Sequence, residues 1–560
     1  MKIRRILLIL ILALAAILRI WKLDTVPISL FGDEVDIGYH AYSILKTGKD
    51  YTGNSKLFYL NSLADKKAPL YAYLTVPSVA VFGISPLGVR LPAAIFGVLG
   101  ILFFYLLVEL WTKNKNLALL GALLLTVSPW DIHYSRWGFE GTLMLFLFLA
   151  GLYCFFRSFV NNRFIIISAL LFSLSFYAYH SAKIFIPLIL LTSVIIWWKQ
   201  LKNISKRSLI AACLVLTILV GPLIINSFFG ASSERFGSLS ILSDPTNEGE
   251  LGQDRSRDIQ MGAQYGRLFH NKLTLVFTKI SDNYLESLST QFLFIRGDNN
   301  PRHSIIQNGE FYKYQFLLLI MGLIFFAIKP MNGRYKASIV AWVLLAPLPS
   351  IITIGGGNHA SRLLFLLPPL IFFITAGAYY SYFYLGKKFR KIYILILGVI
   401  SITSFIFYQH NLWVHYPWDS ENWWHAGFKE AIQSSVLESK NYERVIISQG
   451  NEPALIFFLA YSLFPPDQFQ KMYPLTEKDM TGFSSIFKLD KYYFPPIGRG
   501  VSLYELGSIL PPKTLYLATF KEINLDLIRE PERVPQDIKL IKSIIYPSGI
   551  PAFYLFQKAI

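Results

Sequence analysis

Eleven stretches of the chain, each 16–23 residues long, are predominantly apolar: 4–20, 89–110, 117–134, 139–157, 164–180, 183–198, 208–229, 312–328, 337–354, 361–383 and 391–408. A bilayer core of about 30 Å needs roughly 20 apolar residues per helix. Within lipid, only helices or closed barrels satisfy their own backbone hydrogen bonds. The pattern therefore predicts an α-helical polytopic membrane protein with about eleven transmembrane helices. The basic, apolar N-terminus MKIRRILLILILALAAILRI has the look of a signal peptide, and is expected to be an uncleaved first span because many spans follow.

The cations fall on one side. With the N-terminus in the cytoplasm, the inner segments hold eighteen Lys and Arg and no Asp or Glu, from Lys2, Arg4 and Arg5 to Lys387, Lys388, Arg390 and Lys391. The short loops of the opposite side hold only Arg136, Lys183 and Arg362. This is the positive-inside pattern. It accounts for the net charge of +18 without invoking nucleic acid. Charged residues make up only 16% of the chain, against about 25% in a soluble domain. Cys154 and Cys213 both sit in apolar runs, which excludes a disulfide framework.

The same count places the longer polar segments outside. A membrane module is expected over 1–408, with outer loops at 21–88 and 230–311, and an extracytoplasmic α/β domain over 409–560. In the latter, YERVIISQG and KTLYLATF have strand composition, EPALIFFLAYSLF suits a buried helix, and the C-terminal stretch suits a hairpin around Pro547-Ser548-Gly549. Residues 243–260 are predominantly polar and are expected to be mobile.

The most informative local feature is FGDEVDIGYHAYSILKTG, a dozen residues beyond the first span. Ile37, Ala41, Ile44 and Leu45 recur at helical spacing, predicting an amphipathic helix in the outer interface. Asp33 would stand at its N-terminus, where a carboxylate also serves as a cap, so Gly-Asp-Glu suits a plain helix start as well as a site. A second interfacial segment is expected to run to Phe82.

Together with Gly32-Asp33-Glu34, the chain carries Lys67-Ala68-Pro69-Leu70-Tyr71, Phe82-Gly83, Arg90-Leu91-Pro92, Tyr134-Ser135-Arg136 with Glu140, and Arg362 with Pro368. In order and topological side these resemble the GT-C glycosyltransferases of the protein O-mannosyltransferase and lipid A aminoarabinose-transferase type, over roughly residues 1–400. The resemblance implies a polyprenyl-phosphate sugar as donor. It gives the catalytic carboxylate to Asp33, with Glu34 beside it. The second acid falls on Glu140, with Asp131 as rival.

Other candidates lie at the outer ends of spans: Arg136 and Glu140, His180 and Lys183, His359 and Arg362. Each alone also suits an interfacial anchor. The loop IRGDNNPRHSIIQNGEFY concentrates Arg296, Asp298, Arg302 and His303, as either a plain turn or a substrate loop. No metal signature of the HExxH or CxxC kind occurs, although a divalent cation gathered in space by Asp33, Glu34 and a histidine stays open.

An outer site needs a donor carried by the membrane. Lys183, Arg136 and Arg362 are expected to stabilise its departing phosphate, and Asp33 to take the proton of the attacking hydroxyl in an inverting displacement. The acceptor is a lipid, glycan or protein hydroxyl, and the enzyme is expected in the plasma membrane among its lipids. A polyprenyl-lipid flippase or a non-catalytic sugar-lipid binding protein are the alternatives. The flippase is disfavoured by the absence of a broken-helix pair or inverted repeat.

Overall fold

The computed structural model describes residues 2–55, 58–63, 66–229, 240–263, 265–449, 453–475, 477–478, 484–495 and 501–558. Its residues form two compact units. One comprises Met1–Trp21 and Ala93–Asn411, the other Lys22–Pro92 and Leu412–Ile560. The expected single break at 408 thus differs from the observed division: the first outer loop belongs with the C-terminal segment rather than with the spans that flank it in sequence.

The protein is a polytopic membrane protein. Among the described residues six helices are long and apolar enough to cross a bilayer: Pro86–Thr112, Glu140–Arg157, Ala182–Leu201, Lys206–Ile225, Leu364–Tyr384 and Lys387–Asp419. Each of the other five expected spans also contains a helix, but a more charged or shorter one. Lys2–Ile20 carries three cations in its first turn; Lys115–Thr126, Phe164–Phe176, Gln315–Ile328 and Gly333–Leu345 are 12–14 residues long. Proline explains two of the early stops. A proline has no N–H with which to continue the helix ladder; Ser128, before Pro129, is also turned to extended geometry, whereas Ala346, before Pro347, stays helical. The helix Lys115–Thr126 ends before Pro129, and a separate short helix, Pro129–Tyr134, begins there. Gly333–Leu345 ends before Pro347, and Leu348–Ile351 follows as one isolated turn.

Within the first unit, Gln315–Ile328 and Leu367–Tyr384 pack so closely that a Cβ on Gly322 would lie 1.8 Å from the Phe373 carbonyl oxygen, and one on Gly377 1.9 Å from that of Leu318. Small residues at such crossings let helix backbones approach where lipid supplies no hydrophobic drive. Thr246–Gln260 forms a helix, in place of the mobile segment expected there.

In the second unit, a six-stranded mixed sheet runs in the order Lys488–Leu489, Tyr492–Tyr493, Arg444–Ile447, Thr514–Thr519, Pro551–Lys558, Ile538–Ile545. The central strand Arg444–Ile447 pairs in parallel with both neighbours, and the last two strands form the antiparallel hairpin across Pro547-Ser548-Gly549. The helix Ala454–Tyr461 is buried along its whole length, as its apolar sequence requires. The helix Gly32–Thr47 differs from its expected surface position. Residues 34–41 are all buried, because Leu70–Phe82, Ala454–Tyr461 and Pro466–Met472 pack around it. Its polar residues tolerate this because each has a partner.

Candidate functional site

Asp33 and Glu34 open the helix Gly32–Thr47, but neither is its N-cap; that position is Phe31, which makes no side-chain cap. The two carboxylates then diverge. Glu34 is fully buried and grips Arg90 through two parallel bonds, Nε to Oε1 at 2.8 Å and Nη2 to Oε2 at 2.9 Å. Arg90 also donates to the carbonyls of Leu23, Pro27 and Ser29, and its guanidinium stacks 5.4 Å from the Trp424 ring centroid. A bidentate pair with its remaining donors satisfied is the geometry in which buried charge is tolerated. Glu34 thereby holds the loop 23–29 and the helix start together. Asp33 faces outward, with its side chain 64% exposed.

Beneath Asp33 lies a buried polar network. Lys67, whose side chain is only 9% exposed, donates to Asp33 Oδ1 at 2.7 Å and approaches Asp36 Oδ2 at 3.2 Å. It sits on the two-residue strand Lys66–Lys67, paired with Leu60–Asn61. Asp36 further accepts from Tyr51 at 2.6 Å and Ser62 at 2.7 Å, and His40 Nε2 lies 3.0 Å from the Ser62 hydroxyl. Burial alone would raise the Asp36 carboxyl pKa, but Lys67, His40 and the two hydroxyls outweigh it and hold the group below the usual carboxylate range.

The other unit carries the remaining candidates. Arg136 is buried, and donates to the carbonyls of Leu18 at 2.8 Å and Trp21 at 2.9 Å. Those bonds close the end of the first helix, a structural task the sequence pattern does not disclose. Asp131 pairs with buried Arg19. Glu140 begins the helix Glu140–Arg157, and His180 and Lys183 flank the start of Ala182–Leu201; all three are half-buried. Arg296 is exposed at the end of the helical turn Gln291–Arg296. Arg362 donates to Thr353 Oγ1 at 2.6 Å.

Asp298, His303 and His359 come together from two loops. Asp298 Oδ2 lies 2.9 Å from His303 Nδ1 and 3.9 Å from His359 Nδ1, and the two imidazole centroids are 4.7 Å apart. The Ala360 N–H donates to Oδ2 and the Asn300 N–H to Oδ1. His133 Nε2 donates to the Arg302 carbonyl at 2.6 Å, tying this loop to the helix Pro129–Tyr134. Burial pushes His359 down to about 3, aided by Arg362 and His303, so its ring is neutral at physiological pH. Burial also raises Glu310, and nearby Asp298 adds to the rise; its carboxyl stands well above the usual range. The fold thus brings together three side chains of metal-ligand type that no local motif connects.

Sequence reasoning passed over Asp36 and Glu310, and quoted Lys67 and Arg90 only as motif residues without a role. One signal was available. Asp33, Asp36 and His40 share a helix face at i, i+3 and i+7, a charged stripe on a helix whose neighbours are apolar.

Residues 66–225 match the family model described as dolichyl-phosphate-mannose-protein mannosyltransferase. No curated protein matches the chain in sequence. Among solved structures, ArnT from Cupriavidus metallidurans bound to undecaprenyl phosphate aligns with a TM-score of 0.52 at 10% identity, covering 98% of this chain and 97% of that one. The oligosaccharyltransferase of Archaeoglobus fulgidus in complex with Zn and sulfate gives a TM-score of 0.49 at 13% identity, covering 81% of this chain. The chain spans only 61% of the length of that protein. The S. cerevisiae Pmt1-Pmt2 complex bound to the sugar donor gives 0.32 at 16% identity, covering 40% of this chain and 32% of that one.

Proposed function

We propose that the chain is a glycosyltransferase of the GT-C type, one that moves a sugar from a polyprenyl-phosphate donor to an acceptor hydroxyl at the extracytoplasmic membrane face. The observation that carries this reading is the division of labour between adjacent carboxylates: Glu34 is locked to Arg90, while Asp33 is presented outward on a lysine-anchored helix start. A base that must meet a substrate has to be accessible, and one that must stay ionised profits from a fixed cation beside it.

In the proposed step, the acceptor oxygen attacks the anomeric carbon as the bond from that carbon to the phosphate oxygen breaks. The phosphate leaves with the electron pair, and Asp33 accepts the hydroxyl proton. One displacement inverts the anomeric centre. Lys67 donates to Asp33 Oδ1 and fixes its rotamer. Neutralising the departing phosphate lowers the barrier.

The test supplies radiolabelled polyprenyl-phosphate hexoses and a crude envelope extract to the full chain reconstituted in lipid, as wild type and Asp33→Asn. Label transfer that the variant loses supports the assignment. Transfer of equal rate by both would remove Asp33 from the chemistry. Donor binding without transfer by either would point to a sugar-lipid binding protein.

A further inference from the structure

We propose that Asp298, His303 and His359 form a binding site for a transition-metal ion of the Zn2+ class, joining the loop 297–311 to the loop that leads into Leu364–Tyr384. The inference stands on geometry and donor chemistry within one unit, and it is independent of the glycosyl-transfer reading.

The geometry comes first. A tetrahedral ion about 2.1 Å from each donor separates its ligand atoms by about 3.4 Å. The two separations from Asp298 Oδ2, 2.9 Å to His303 Nδ1 and 3.9 Å to His359 Nδ1, straddle that value. One ligating atom from each of the three side chains falls within 4.8 Å of the other two. Small rotations of two imidazoles bring all three to coordination distance. The His359 Nδ1 also lies 3.0 Å from the Ser361 hydroxyl, which a rotation about its own Cα–Cβ bond releases.

The donor set selects the metal. Carboxylate and carbonyl oxygens alone suit Mg2+ or Ca2+, whereas two imidazoles with one carboxylate suit Zn2+ and its first-row neighbours. Three protein ligands leave a fourth position for water or an anionic oxygen, the count found where a bound ion stays accessible.

The surroundings hold the ligands in place. Metal-binding carboxylates are themselves oriented by hydrogen bonds from the next layer. Asp298 is held so by two backbone N–H groups, those of Asn300 and Ala360, at 2.8 and 2.9 Å. Ala360 adjoins His359, so one of these bonds already ties the two loops. The His303 ring lies against Trp137 with the planes 21° apart, which fixes its tilt. An ion at this point would replace the hydrogen bond between His303 and Asp298 and would draw His359 in as well.

The experiment uses the full chain in detergent micelles, stripped with chelator and dialysed against Zn2+. Metal content is then counted by mass spectrometry, and a parallel Co2+ titration is followed by visible absorption. Wild type is expected to keep one equivalent more than the His303→Asn/His359→Asn double variant, to show the absorption of a low-coordinate Co2+ site, and to gain Tm on adding Zn2+. Each single substitution is expected to weaken Zn2+ binding by about 100-fold or more. Size exclusion and metal-free Tm check that the variants fold. His270→Asn, whose ring pairs with Asp254 and Asp258 elsewhere in the chain, should leave the count unchanged. Equal metal content and no Co2+ spectrum in folded wild type and double variant would overturn the site and leave a hydrogen-bonded His-Asp-His cluster in its place.

Discussion

At residue 33 a carboxylate faces outward, and at residue 34 its neighbour is sealed against an arginine. The two positions should therefore fail in different ways. Asp33→Asn should lower transfer by about 10²–10⁴-fold, the range of general-base catalysis, while Tm stays within the small change of a surface substitution. Glu34→Gln or Arg90→Met should instead destabilise by about 3–5 kcal/mol, because each strands a buried charge; thermal unfolding in detergent measures it. Asp36 supplies a pH test. Its folded pKa lies below its unfolded value near 3.9. It therefore adds stability that is present above that value and is lost as pH falls through the folded pKa. Lys67→Met removes the largest influence that lowers this pKa and leaves only His40 and the two hydroxyls against burial, so the variant should lose Tm at a higher pH than wild type in a scan from pH 7 to 3. The sequence makes Asp33 and Glu34 visible as a pair. It does not say which is buried, because burial is set by Arg90, Trp424 and the carbonyls of 23–29, none of which a local pattern joins to them.

Among the elements, helix positions are legible from apolar runs, and their ends much less so. Pro129 and Pro347 end helices that hydropathy alone carries through, since proline's effect is steric and hydropathy averages over it. The helix Gly32–Thr47 has helical spacing in its apolar residues but is buried on its polar side too. Its Glu34, Asp36, His40 and Ser43 find their partners in segments distant along the chain or beyond the helix end. Close packing makes a further prediction. Gly322→Val and Gly377→Val each place atoms onto a facing carbonyl, and should cost at least the 1–3 kcal/mol typical of overpacking. The readout is a lowered Tm with reduced yield of folded protein, and Gly398→Val, where nothing lies within 4 Å, is the control.

For the whole molecule, the excess of Lys and Arg on one side of the spans makes an orientation testable in cells. A periplasmic-type phosphatase reporter fused after Ile560 should be active and a fluorescent protein there dark, with the reverse after Arg390 if eleven spans are crossed. An active phosphatase at both points would mean an even number of crossings between residues 390 and 560, against the single crossing expected there.

The amino-acid sequence by itself determines that this protein lives in a membrane, which loops are polar, and where a chemically capable carboxylate pair stands. Apolar run length, charge asymmetry and short motifs are local properties, and they survive in any fold the chain adopts. Tertiary structure alone decides that residues 22–92 form a unit with 412–560, that Glu34 is sealed and Asp33 is not, and that Asp298, His303 and His359 converge. These depend on contacts between segments far apart in the chain, where burial and hydrogen bonding are settled by which neighbour arrives.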